Sequence, residues 1–206
     1  MTVAAILLVK DEADVIEWTL RHLHRQDVDA AIVADNGSTD GTREILDRLV
    51  AETDGWLAVQ DDPEVGYWQS AKTTALAHEA HERGFDWVIP CDADEMWVAA
   101  DGRTVGAWLR GVPPDVLLAR AALYNYVPTA EDPADSNPFT RIGWRLAEPA
   151  PLGKVACRLR PDLTVEAGNH GASYDVFPLA TNSPPVPLSV LAMILTVCAA
   201  PTSATG

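Results

Sequence analysis

Three short acidic clusters carry the chemistry open to this sequence: Lys10-Asp11-Glu12, Asp35-Asn36 and Asp92-Ala93-Asp94-Glu95. The last sets three carboxylates within four residues, and these repel one another unless a cation sits among them. Hard oxygen donors of this kind suit Mg²⁺ or Mn²⁺. His170 stands in Ala167-Gly168-Asn169-His170-Gly171, where flanking glycines let the backbone approach a ligand. A neutral imidazole is a good ligand for Mn²⁺. A second D-x-D, Asp27-Val28-Asp29, falls between a helix and a strand and reads as solvated turn carboxylates. His22, His24, His78 and His81 fall on helical segments and read as surface or half-buried.

The elements that must position these groups follow from hydrophobic patterning. Residues 3–9 (VAAILLV) are an unbroken apolar run of the length of a strand buried on both faces. Val15, Ile16, Leu20 and Leu23 then recur at helical spacing. A second apolar run, 30–34, ends at the turn-rich segment Asp35-Asn36-Gly37-Ser38-Thr39-Asp40-Gly41. A helix carrying Ile45, Leu46, Leu49 and Val50 follows, then a strand at 56–60, a helix at 69–83 and a strand at 85–90. Strand alternating with helix at this spacing is a βαβ pattern with a parallel sheet. If the strands are parallel, all three acidic clusters fall on its carboxyl edge, where open α/β sheets bind ligands. Beyond residue 100 the alternation weakens. Strands are expected within 115–126 and at 154–160, and the five prolines of 128–153 make that segment mostly loop.

Composition narrows the function. The 206 residues carry 15 Lys+Arg against 30 Asp+Glu, a formal net charge of −15. That balance argues against nucleic acid as a partner and against an anionic membrane surface. An acidic enzyme that handles phosphates must borrow positive charge, most simply from a metal ion. Cys91, Cys157 and Cys198 are far apart with no CxxC, which fits a reducing, cytoplasmic setting. The N-terminus has no basic lead before its apolar run and is not a signal peptide. GxGxxG, GxxxxGK[ST] and GxSxG are all absent. From Val176 to Gly206 there is no Asp, Glu, Lys or Arg, and five prolines interrupt the segment. Its apolar stretch, 188–200, is shorter than the ~20 residues of a spanning helix. The expected division is a folded domain over 1–178 and a disordered or truncated Pro/Ser/Thr-rich tail over 179–206.

The segments LLVKDEADVIEWTLRHLHRQDVDAAIVADNGSTDGTREIL, DWVIPCDADEMW and KVACRLRPDLTVEAGNHG together resemble family-2-type glycosyltransferases of the GT-A fold. The likeness is greatest to the bacterial subgroup with DNGSTDGT and DADEFW-like motifs, and it covers about residues 3–171. It implies a Rossmann-like α/β fold, a mostly parallel central sheet flanked by helices. It also implies a nucleotide-diphosphate sugar donor, a UDP-sugar foremost, an acceptor hydroxyl, and an inverting single displacement. By the resemblance, Glu12 contacts the nucleotide, Asp35 the base and Asp92 the ribose, while Asp94 holds the divalent metal and His170 completes its site.

Taken together, the expected nucleotide contacts are Lys10, Glu12, Asp35, Asn36, Lys72 and Asp92. The expected ligands of Mn²⁺ or Mg²⁺ are Asp92, Asp94 and His170. Lys72 enters because Gly66-Tyr67-Trp68-Gln69-Ser70-Ala71-Lys72 stands where the family commonly carries Ala-Arg-Asn. Glu95, nearest in sequence to the D-x-D, is the expected catalytic base, with Glu148 and Asp175 open as alternatives. Trp97 could stack on a sugar face or fill the core. Two other readings remain: a silent GT-A binding protein lacking its acceptor segment, and a nucleotidyltransferase.

Overall fold

The computed structural model describes residues 1–64, 66, 68–133 and 137–175, together with the backbone of 188–193. The first half alternates as expected: β1 (Val3–Val9), α1 (Ile16–Arg25), β2 (Ala30–Asp35), α2 (Thr42–Glu52), β3 (Leu57–Asp61), α3 (Gln69–Glu82) and β4 (Trp87–Pro90). Then come β5 (Glu95–Ala99), α4 (Val105–Arg110), β6 (Leu118–Tyr126), α5 (Pro138–Arg141) and β7 (Lys154–Arg158). After these come β8 (Leu163–Val165), a short 3₁₀ turn (Ala167–Asn169), β9 (Ala172–Tyr174) and β10 (Leu188–Met193).

Eight strands form one sheet in the order β3-β2-β1-β4-β7-β6-β10-β5, and β8 pairs with β9 in a small second sheet. The β3-β2-β1-β4 half is parallel throughout. β7 returns antiparallel between β4 and β6. β10 runs parallel to β6 and antiparallel to β5.

The parallel half is buried on both faces because each crossover lays a helix against the sheet. β1 shows it by alternation. Val3, Ala5, Leu7 and Val9 enter a core with Ile16, Leu20 and Leu23 of α1 and Leu46 and Leu49 of α2. Ala4 and Ile6 enter the opposite core with Leu76, Ala77 and Ala80 of α3. Several core side chains here are fully covered, and each contributes about 1.5–3 kcal/mol by burial.

The structure differs from the sequence expectation in five places. β5 and α4 follow the acidic cluster, where no element was expected. α5 interrupts the proline-rich loop. β8 and β9 form a sheet of their own. Asp27 and Asp29 are exposed in the turn between α1 and β2, as expected of solvated carboxylates, but they are also paired with Arg110 of α4, which donates to the Met1 carbonyl as well. Finally, Leu188–Met193, inside the charge-free segment, is a strand of the main sheet. The expected boundary at 178/179 lies outside the described residues, as does Cys198. Cys91 and Cys157 are buried and unpaired. Among the described residues no helix is long and apolar enough to cross a membrane.

Candidate active site

The parallel registers bring the three clusters to one edge. Val9 pairs with Asp35, so Lys10 and Asn36 leave the sheet side by side, and Lys10 Nζ lies 3.4 Å from the Asn36 carbonyl. β4 ends beside Ile6, whose carbonyl accepts from the Cys91 N–H at 3.0 Å. Asp92–Glu95 therefore turn out at the same edge.

The first two loops are tied to each other. Asp11, in the left-handed region at φ 55°, donates its N–H to the Ser38 hydroxyl and accepts from the Thr39 N–H at 2.7 Å. The Glu12 N–H reaches the Thr42 hydroxyl at 2.7 Å, and the Ala13 N–H reaches Asp40. Asp35 is buried and accepts from the Ser38 N–H at 3.0 Å. That turn needs a positive φ at Gly37, 73°, which glycine adopts at little cost. Asn36 is buried, and its amide donates to Asp62 Oδ2 at 2.9 Å and to the Glu64 carbonyl at 2.6 Å.

The D-x-D turn is held from two sides. The Thr19 hydroxyl of α1 donates to the Ala93 carbonyl. Lys154, the first residue of β7, places its ammonium 2.5 Å from Asp92 Oδ2, 2.7 Å from Glu95 Oε1 and 2.9 Å from the Gly168 carbonyl. Asn169 donates to the other Asp92 oxygen at 2.9 Å. His170 follows, with Nδ1 2.7 Å from the Gly153 carbonyl. Since a carbonyl only accepts, Nδ1 is the donor of this bond, and Nε2 is the ring nitrogen it leaves unengaged.

Electrostatics mark the unbalanced acids. Burial, then the charges of Asp94, Asp14 and Asp92, pushes the Glu12 carboxyl up to about 7. Burial and then Asp92 push Asp94 up to about 6. Glu12 and Asp94 thus feel one another although 82 positions apart in the chain, which is the convergence expected of the sheet edge. Burial alone would lower the Lys154 ammonium, but Glu95 and Asp92 more than reverse it, so the lysine is held charged. Burial and Asp92 push Glu95 upward against the pull of Lys154.

Several expected roles do not match the placements. Glu95 is only 1% exposed and clamped by Lys154, so it is not presented to an acceptor hydroxyl. The reason is strand pleat: Glu95 and Trp97 alternate onto the buried face of β5. Trp97 is fully buried and is a core residue, not a sugar platform. Asp92 accepts one bond on each oxygen, from Lys154 and from Asn169, so its carboxylate is held in orientation from both sides. Lys72 is ion-paired with Asp62 at 2.5 Å, so its charge supports the Asn36 loop rather than standing open to a diphosphate. Lys154 itself was missed. Its place at the head of a strand-like run, KVACRLR, carries no local sign of burial beside acids.

Whether the edge suits a divalent ion turns on its donor set. Among the described residues no three His, Cys, Asp or Glu side chains converge to hold an ion by themselves. Asp94 lies two residues after Asp92 and has no ion-pair partner among the described residues, and His170 follows Asn169, which donates to Asp92. Two such donors completed by phosphate oxygens are a suitable set for Mg²⁺ or Mn²⁺, which take few protein ligands at phosphate sites.

A mostly parallel, doubly covered sheet with acids at its carboxyl edge and an antiparallel return beside them is the GT-A arrangement. The sequence model of glycosyl transferase family 2 matches residues 5–146, more than half of the chain, and the chain belongs to that family. Among solved structures, GalNAc-T7 with UDP, GalNAc and Mn²⁺ shares the fold at a TM-score of 0.59 and 12% identity, covering 94% of this chain and 44% of that one. The mannosyltransferase PcManGT from Pyrobaculum calidifontis, with GDP-Man and Mn²⁺, is 24% identical over 58% of this chain and 34% of its own, at a TM-score of 0.48. S. aureus TarS 1–349 with UDP-GlcNAc is 16% identical over 66% of this chain and 37% of its own, at 0.45. The chain thus spans less than half the length of each of these proteins. No curated protein matches it.

Proposed function

We propose that this chain moves a sugar from a nucleotide-diphosphate sugar to an acceptor hydroxyl, with inversion and with the help of a divalent ion. The observation that supports this most is the gathering of Glu12, Asp35, Asn36, Asp92 and Asp94 at one sheet edge beside His170, within the fold of the family to which the chain belongs. Asp35 and Asn36, fixed by the Ser38 and Asp62 contacts, form the floor for the base. Asp92, oriented by Lys154 and Asn169, faces the ribose. Glu12 and Lys10 border the nucleotide from the first loop.

Asp94 and His170 Nε2 are the groups that would hold the ion. When bound there, the ion offsets the diphosphate charge that a site this acidic would otherwise repel, and stabilises it as the leaving group departs. In the transfer, the acceptor oxygen bonds to the anomeric carbon, the bond from that carbon to the diphosphate oxygen breaks, and the diphosphate keeps the electron pair. The acceptor proton passes to a carboxylate, and the burial of Glu95 against Lys154 argues for one other than Glu95.

Calorimetric titration of UDP, and then GDP, into the purified chain with and without Mn²⁺ tests the reading. Binding that requires Mn²⁺ supports it and selects the donor series. Absence of binding under every condition would refute it.

A further inference from the structure

Lys154 is 4% exposed, and lysine is seldom so buried without partners. Its three ammonium protons have three acceptors: Asp92, Glu95 and the Gly168 carbonyl. These come from two segments far apart in the chain: the Asp92–Glu95 stretch that links β4 to β5, and the turn before β9. The turn is fastened further by Gln69 Oε1, which accepts from the Gly168 N–H at 2.7 Å, and by the His170–Gly153 bond. Gly168 has φ 74°, and a Cβ there would meet the His170 ring at 2.6 Å, so the ring lies flush on the backbone that Lys154 holds.

We propose that Lys154 is a positioning residue: a built-in cation that locks Asp92 and Glu95 and docks the Gly168–His170 turn, leaving Asp94 as the acid after β4 with charge to offer an incoming ion. The assignment rests on the sugar-transfer reading for its purpose, but the clamp is a property of the chain itself.

The test uses Mn²⁺ alone, followed by electron paramagnetic resonance of the free ion, and UDP in saturating Mn²⁺, followed by calorimetry. In Lys154→Met two carboxylates lose their cation. Donor-free Mn²⁺ should then bind about tenfold tighter, as expected for one uncompensated charge in a partly solvated site. UDP should bind about tenfold more weakly, because the ion and the His170 turn are displaced from their working geometry. A merely structural lysine would weaken both together. In Lys154→Met/Glu95→Gln the lost charges cancel and the pair is replaced by neutral groups, a change that buried pairs often tolerate. Mn²⁺ affinity should return to within about threefold of the unaltered chain while UDP binding stays weak. This double variant decides the matter if the single one does not fold. Changes of the same sign in both measurements, or UDP binding retained in the double variant, would overturn the assignment. An unaltered chain that binds no nucleotide would overturn the sugar-transfer reading instead, and the Mn²⁺ titration would still decide the clamp.

Discussion

Asp94→Asn should make the metal-free protein more stable and the site useless. Asp94 is half-buried beside Asp92 and makes no direct ion pair among the described residues, and the pull of the nearby Lys154 ammonium does not offset burial and the Asp92 charge. Its carboxyl rises from an ordinary 3.8 to about 6. Held ionised, it therefore costs the folded chain up to about 3 kcal/mol at 1.36 kcal/mol per pH unit, and solvent access reduces this to about 1–2 kcal/mol. The sign follows from linkage. The folded state binds this proton more tightly than the unfolded state, so stability is greatest when the acid is protonated and falls as pH rises from about 4 to above 6. Asparagine carries no such cost. The variant should match the unaltered chain near pH 4 and exceed it at pH 8 by about 2–8 °C in Tm, at roughly 2–4 °C per kcal/mol for a chain of this size. Thermal melts in EDTA at the two pH values measure this. Calorimetry with UDP and Mn²⁺ should show at least about a 100-fold loss, beyond the usual effect of losing a residue that merely supports a ligand. Equal or lower stability of Asp94→Asn at pH 8 would show that the acid is compensated by something within the fold. Intact Mn²⁺-dependent binding would show that Asp94 does not hold the ion.

Other perturbations probe neighbouring parts of the argument. UDP binding in Mn²⁺ should tighten between pH 5.5 and 8, because Asp94, at about 6, and Glu12, at about 7, shed protons as the ion binds. Glu12→Gln should remove the upper part of that rise, and a pH profile identical to that of the unaltered chain would count against the placement of Glu12. Trp97→Ala should cost about 3–5 kcal/mol by urea unfolding, as for other buried aromatics. The milder Trp97→Phe should leave UDP affinity within about twofold, since a core residue does not touch the ligand. Leu191→Pro removes a ladder donor from β10, which lies between β6 and β5. It should destabilise the chain by about 1–3 kcal/mol, the cost of a ladder acceptor left without its donor; an unchanged melt would mean that this strand contributes little to the fold.

How far the sequence discloses this molecule depends on the range over which each feature is determined. β1 to β4 are legible because each is an apolar run covered on both faces and separated by helical periodicity, all within about thirty residues of the next element. The carboxyl edge is equally legible, since Glu12, Asp35 and Asp92 each stand at or within three residues of the end of a strand. β5 and α4 escape because Glu95–Ala99 and Val105–Arg110 are too short to show a period. β8 and β9, three residues each, are set by packing rather than propensity. Glu95 shows the limit of proximity in sequence: it stands beside the D-x-D, yet the pleat of β5 turns it inward with Trp97. Lys154 shows the converse. It lies 62 residues from Asp92 and reaches it only because β7 returns antiparallel between β4 and β6. The acidity of the chain calls for positive charge at any phosphate site, and composition alone points to a metal ion as the whole of that charge. The fold divides the task. One ammonium is buried among the carboxylates and holds Asp92 and Glu95, while Asp94, half-buried beside them, has no ion-pair partner among the described residues.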